Sequence, residues 1–103
     1  MFALVVRFDL RDAEAAAGFD ALLAETPPLI TEREPGTLVY ATHGVEDEPL
    51  ARVFYEVYTD RAAHRAHEAT PHTARFLALL GQYVDRTRVD FLGSPSGKCT
   101  LSV

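Results

Sequence analysis

Between Arg52 and Val84 the chain reads RVFYEVYTDRAAHRAHEATPHTARFLALLGQYV, an apolar strand pattern running directly into two helical ones. Period-two alternation puts Val53, Tyr55 and Val57 on one side of a strand, and Phe54 and Tyr58 with Arg52 and Glu56 on the other. Thr59-Asp60 then starts a helix that extends to about Ala69. Pro71 stops it and serves as the first residue of the next helix, which Thr70 caps. His64 and His67 share one side of the first helix, and His72 lies in the first turn of the second. One strand-to-helix corner therefore gathers aromatic, carboxylate and imidazole groups.

The flanking pattern limits how that corner can be completed. Phe2–Leu10 alternates strictly, with Phe2, Leu4, Val6, Phe8 and Leu10 on one face of a first strand. Asp12 is placed to cap a helix carrying Ala16, Phe19, Leu22 and Leu23 at helical spacing. Thr26-Pro27-Pro28 interrupts it, and the spacing predicts a further turn over Leu29–Glu34. Pro35-Gly36 is a turn before a second strand, Thr37–His43, and Gly44–Pro49 reads as an acidic, exposed connection to a third, Ala51–Tyr58. The last helix carries a stripe of Phe76, Leu77, Leu80, Tyr83 and Val84. Thr87–Leu92 is a fourth strand, and Lys98–Val103 is a candidate for a short final one. The order β-α-β-β-α-β predicts an α+β, ferredoxin-like fold, with helices on one face of a four-stranded antiparallel sheet. A single domain over residues 1–103 is expected, with a core over 2–92 and a tail over 93–103.

Helices cover one face of such a sheet, so the other should be polar. Instead both faces of the first three strands carry apolar side chains, and uncovered patches of that kind mark interfaces. A domain this small buries only about two thirds of its unfolded surface. Both considerations predict a homodimer with sheets packed face to face. The formal net charge of −5, without any Lys/Arg run, excludes an electrostatic footprint for nucleic acid and disfavours anionic membranes. No stretch approaches the roughly 20 apolar residues of a membrane span. With one cysteine, Cys99, and no basic region ahead of the N-terminal apolar run, a reduced cytoplasmic setting is expected.

Several residues are candidates for chemistry. His67 points toward the sheet if Ala63, Ala66 and His67 form the inner helix face; it is either a proton acceptor or a buried histidine satisfied by a neighbour. His64 reads as a solvated helix residue near Asp60 and Glu68. His72, at a helix N-terminus, is expected to be neutral and chiefly structural, and is retained as a possible substrate contact. Glu56 sits in an apolar strand and needs a partner, for which Arg7 is the candidate. Tyr40, Tyr55 and Tyr58 either line a pocket or fill the core. His67-Glu68 and His72 do not make an HExxH zinc motif, since the histidines are five apart with Pro71 between them, so no metal is expected. GxSxG, CxxC, Walker A and GxGxxG patterns are absent, as is any phosphate loop for a flavin or nicotinamide.

The segments LVVRFDL, Glu34-Pro35-Gly36-Thr37-Leu38-Val39-Tyr40 and Phe54-Tyr55-Glu56-Val57-Tyr58-Thr59-Asp60, followed by His67 and Pro71-His72, make the chain resemble the antibiotic biosynthesis monooxygenase (ABM) domain family over about residues 2–92. The resemblance implies a dimeric α/β barrel of ferredoxin-like protomers, with a pocket between helices and sheet. It also implies one of several activities: cofactor-free oxygenation of quinols or polyketide aromatics, haem degradation, or isomerisation of small ketones. Haem degradation is disfavoured, because the chain contains neither the Asn nor the Trp that branch uses, and Tyr58 stands where a Trp is common. What the resemblance leaves is a cofactor-independent monooxygenase of a small aromatic or quinol-type molecule. His67, Tyr58 and Glu56 are the expected catalytic groups, and Arg7, Tyr40 and His72 the expected substrate contacts. The alternatives are a non-catalytic dimeric module that binds a small hydrophobic metabolite, and an isomerase of a small ketone.

Overall fold

The computed structural model describes residues 1–99. Its elements are β1 (Phe2–Leu10), α1 (Ala13–Leu23), α2 (Pro27–Arg33), β2 (Thr37–Val45), β3 (Glu48–Tyr58), α3 (Arg61–Glu68), α4 (Pro71–Leu79), a 3₁₀ turn (Leu80–Gln82) and β4 (Val84–Leu92). The strands form one antiparallel sheet in the order β2-β3-β1-β4. This is the expected α+β arrangement, with each crossover built from a pair of helices.

The local reasons lie in the sequence. Asp12, Asp60 and Thr70 cap α1, α3 and α4 by accepting from the backbone N–H groups of Ala15, Ala63 and Thr73. Pro27 and Pro71 each sit in a first helical turn, where a missing N–H costs nothing. β1 alternates buried and half-buried residues along its whole length, its large side chains turned toward the helices. Phe8 and Phe54 from the sheet meet Phe19 of α1 and Phe76 of α4, with Phe8–Phe54 and Phe8–Phe19 centroids 5.1 and 5.3 Å apart. Such pairs contribute about 0.5–1.5 kcal/mol each beyond their area, and they pin both helical layers to the middle of the sheet.

Four expectations about element boundaries are corrected. Gly44–Pro49 is not a loose loop: β2 and β3 run on to pair Val45 with Glu48, leaving only Glu46 and Asp47 in the turn. Asp47 takes the left-handed conformation (φ 61°), which Asp tolerates better than most residues in a turn. α2 begins at Pro27 rather than Leu29. The last helix ends at Leu79, and Val84 belongs to β4, paired with Leu10 beyond a register shift at Asp9/Leu10. Lys98 and Cys99 are not in a strand; the remainder of that proposed strand, Thr100–Val103, lies outside the described residues. Among the described residues no helix is long and apolar enough to cross a membrane.

The two sheet faces differ in cover. Leu4, Val6 and Phe8 on β1 share a face with Glu56, Phe54, Tyr40 and, on β4, Phe91, Val89 and Thr87. Helices cover this face over β1 to β3, while Val89 and Phe91 stay exposed. The outer face mixes half-buried Val5, Val39 and Val53 with Tyr55 and with the charged groups Arg7, Asp9, Arg88 and Asp90.

Candidate functional site

β3 carries Glu56 inward at the centre of the sheet, directly beside Leu4 of β1 and Tyr40 of β2. α3 lays His64, His67 and Glu68 over that position, and the first turn of α4 adds His72 and Thr73. Between them lies a cavity of about 280 Å³. Its floor is Leu4, Val6, Phe8 and Phe54; Phe76 and Leu80 close one side, and Leu77, Val89 and Phe91 form an exposed apolar rim. Most polar groups gather at one end, Glu56, His67, Thr73 and Tyr40 with His64 and Glu68 beside them, and Thr87 of β4 adds a hydroxyl near Phe8.

His67 is the hub of this polar end. Its Nδ1 lies 2.7 Å from Oε1 of Glu34, and its Nε2 lies on the side of Glu56, 4.0 Å from that carboxyl. Glu34 follows the last turn of α2. Its carboxylate also takes the Thr37 hydroxyl (2.8 Å) and Nε2 of His72, so one buried carboxylate ties α2, β2, α3 and α4 together. Burial alone would push the Glu34 carboxyl up; hydrogen bonds from His72, Thr37 and His67, with the charge of His67, outweigh it and hold the group below its ordinary value. A carboxylate can only accept, so the proton of each facing imidazole nitrogen points at Glu34. Nδ1 of His67 is therefore the donor, and in the neutral imidazole the lone pair is on Nε2. Nδ1 of His72 has no partner among the described residues, which places that ring's proton on Nε2.

Glu56 is in the opposite condition. Burial pushes its carboxyl up, and the hydrogen bond from Tyr58 and the charge of His67 offset this only in part. Tyr58 OH donates to Oε1 at 2.5 Å. Burial, with Glu56 close by, raises the phenols of Tyr58 and Tyr40 well above their ordinary value, so both stay protonated.

The sequence-predicted residues are thus only partly brought together. His67, Glu56 and Tyr40 border the cavity. Tyr58 does not; it is fully buried behind Glu56. His72 stands behind Glu34 and borders a different hollow, against α1 and α2. Arg7 is neither at the cavity nor near Glu56. Register pairs Leu4 with Glu56, so odd-numbered Arg7 faces the other side, where it binds Glu48 (2.8 Å) and Asp9 (3.2 Å). His64, expected in solvent, borders the cavity with its ring 5.0 Å from Tyr58 and 5.2 Å from Phe2, and burial lowers its pKa. Glu34 and Thr73 were not singled out for chemistry by the sequence reading; the Glu-Pro-Gly turn was the only available pointer to Glu34.

A one-layer antiparallel sheet under paired helices, with an apolar cavity ending in an oriented imidazole and a buried carboxyl, defines an α+β protein with a small-molecule pocket. The chain belongs to the antibiotic biosynthesis monooxygenase (ABM) family, whose model matches residues 1–79. It is similar to a solved antibiotic biosynthesis monooxygenase (26% identity, 93% of this chain and 100% of that one, TM-score 0.82). A Mycobacterium tuberculosis protein is also similar (26% identity, 95% and 98% covered, TM-score 0.84). A proposed antibiotic biosynthesis monooxygenase from Bacteriodes thetaiotaomicron, at 23% identity with 98% and 95% covered, shares the fold (TM-score 0.86). Among curated proteins no relative matches the chain.

Proposed function

We propose that this ABM-family chain is a cofactor-independent monooxygenase of a small phenol or quinol-type aromatic, acting as a cytoplasmic homodimer. The observation that carries the reading is His67: its Nδ1–H is held by Glu34 while its Nε2 lone pair lies at the polar end of an apolar, aromatic-walled cavity. At about 280 Å³ the cavity is near the lower end of ligand pockets, which suits a molecule of one or two rings. Nε2 of His67 takes the phenolic proton, and Glu34 stabilises the resulting imidazolium. The phenolate passes one electron to O₂, and the phenoxyl radical and superoxide combine at a ring carbon. The peroxide takes the proton back from His67, and loss of water leaves a carbonyl. The sum is phenol plus O₂ to quinone plus water. The apolar walls exclude water from the reactive anion. Support for the dimer comes from the half-buried apolar residues of the outer face.

The test is O₂ uptake with a panel of phenols and quinols. Turnover is expected with wild-type protein and falls by about 100-fold or more in His67→Ala, with the circular dichroism spectrum retained. Thermal stabilisation by the panel without O₂ uptake would identify a binding module instead, and turnover under argon an isomerase.

A further inference from the structure

The two glutamates that flank His67 are built oppositely. Glu34 is surrounded by donors: His67, His72 and Thr37. Glu56 receives one hydrogen bond, from Tyr58, and among the described residues no Lys or Arg pairs with it. The titratable groups around it are Tyr58 on its own strand, Tyr40 on β2, His67, His64 and Glu68 on α3, and Glu34 beyond His67. Two of these, the carboxylates of Glu68 and Glu34, oppose a negative charge there. Since Tyr58 donates to Oε1, the carboxyl's own proton belongs on Oε2. Glu56 borders the cavity and Tyr58 does not, so the acid faces the ligand and the phenol supports it from behind.

We infer that Glu56 is the proton donor of the reaction's second half, and that it breaks the O–O bond of the ring hydroperoxide with His67 acting again as base, Tyr58 being a positioning residue. This rests on the monooxygenase reading above. His67 Nε2 removes the hydrogen on the peroxide-bearing carbon. That C–H pair becomes the second bond of the new carbonyl, and the O–O pair leaves with the distal oxygen. Glu56 protonates the leaving oxygen, releasing water. The protonated His67 then returns its proton to the Glu56 carboxylate through the released water, since the 4.0 Å between His67 Nε2 and that carboxylate is too long for direct transfer, and the cycle closes without any oxidant other than O₂. The buried position of Glu56 raises its pKa and so favours the protonated acid over the carboxylate.

Glu56→Gln and Tyr58→Phe test this by two readouts. The first is the infrared band of a protonated carboxyl at neutral pH, expected in wild type and missing in Glu56→Gln. The second is product partition. Glu56→Gln should still consume phenol and O₂ but release hydrogen peroxide or accumulate organic hydroperoxide, with quinone formation down about 100-fold. Tyr58→Phe should retain the quinone as product and shift the pH profile of its formation. A missing carboxyl band in wild type overturns the inference. So does a Glu56→Gln protein, folded by circular dichroism, with unchanged partition between quinone and peroxide. If wild type takes up no O₂ with any phenol, the oxygenase reading fails and the peroxide step with it; a band present in that case shows that the function, not the acid, was misassigned.

Discussion

Replacing Glu34 by Gln tests the hub of the site without changing its shape. Gln can still accept from Thr37 and His67 through Oε1, but its amide then meets the donating Nε2–H of His72. The conflict is relieved only if His72 moves its proton to Nδ1, which is buried and has no acceptor among the described residues. A buried donor without a partner costs about 1–3 kcal/mol. Exchanging charge-assisted for neutral hydrogen bonds adds roughly 1 kcal/mol. The sum, about 3 kcal/mol, is a large part of a small domain's total stability and corresponds to a fall in Tm of roughly 15 °C. Thermal melts at pH 7 measure this. The acid side supplies a second check. The folded pKa of Glu34 lies below its ordinary 4.5, so its contribution is full above pH 4.5 and is lost as pH falls through the folded value. Gln has no such contribution to lose, so the gap between the two proteins should narrow below pH 4.5. A Gln variant melting within about 3 °C of wild type at pH 7, or a gap that does not change with pH, would refute the hub.

The same linkage has the opposite sign at Glu56. Its folded pKa is raised, so its favourable contribution is present below the ordinary 4.5 and lost as pH rises through the folded value; Glu56→Gln should gain in Tm relative to wild type from pH 5 to pH 9. Gly36→Ala should cost about 1–3 kcal/mol, because a Cβ there would sit 2.8 Å from Cβ of Ala63 on α3. Ala63→Gly in the same protein should recover part of the loss in a denaturant titration. Asp60→Ala removes the cap of α3 and should lower stability by about 1 kcal/mol in the same titration. Sedimentation at micromolar concentration should find a dimer, and Tyr55→Asp, on the outer face, should shift it to monomer.

How much of this could be read from the chain depends on how far apart the interacting residues lie. β1, the caps at Asp60 and Thr70, and the break at Pro71 were legible because each depends on neighbours within a few residues. The hub was not. Glu34 meets its histidines 33 and 38 positions later, across a strand pair, and no local pattern encodes that meeting. Arg7 was proposed for Glu56 on charge alone; which face each occupies depends on the β1–β3 register, which only the assembled sheet fixes. His64 was read as a solvated helix residue near Asp60 and Glu68, yet α3 turns His64, His67 and Glu68 toward the cavity, where all three form part of its lining. Val84 continued an apolar stripe that the chain itself abandons at the Leu80–Gln82 turn.

The exposed rim of Leu77, Val89 and Phe91 makes the cavity a notch rather than a bottle. A molecule of the proposed kind would be enclosed at the end that meets buried His67 and open to solvent at the end that passes between α4 and β4. On the proposed phenol chemistry, selectivity falls on the substituents next to the reacting hydroxyl, which would meet the buried polar end lined by His67, Glu56 and Thr73. A tail on the far side of the ring leaves along the sheet edge and goes largely unread. Within a series of phenols, ortho substitution should therefore abolish binding long before chain length does.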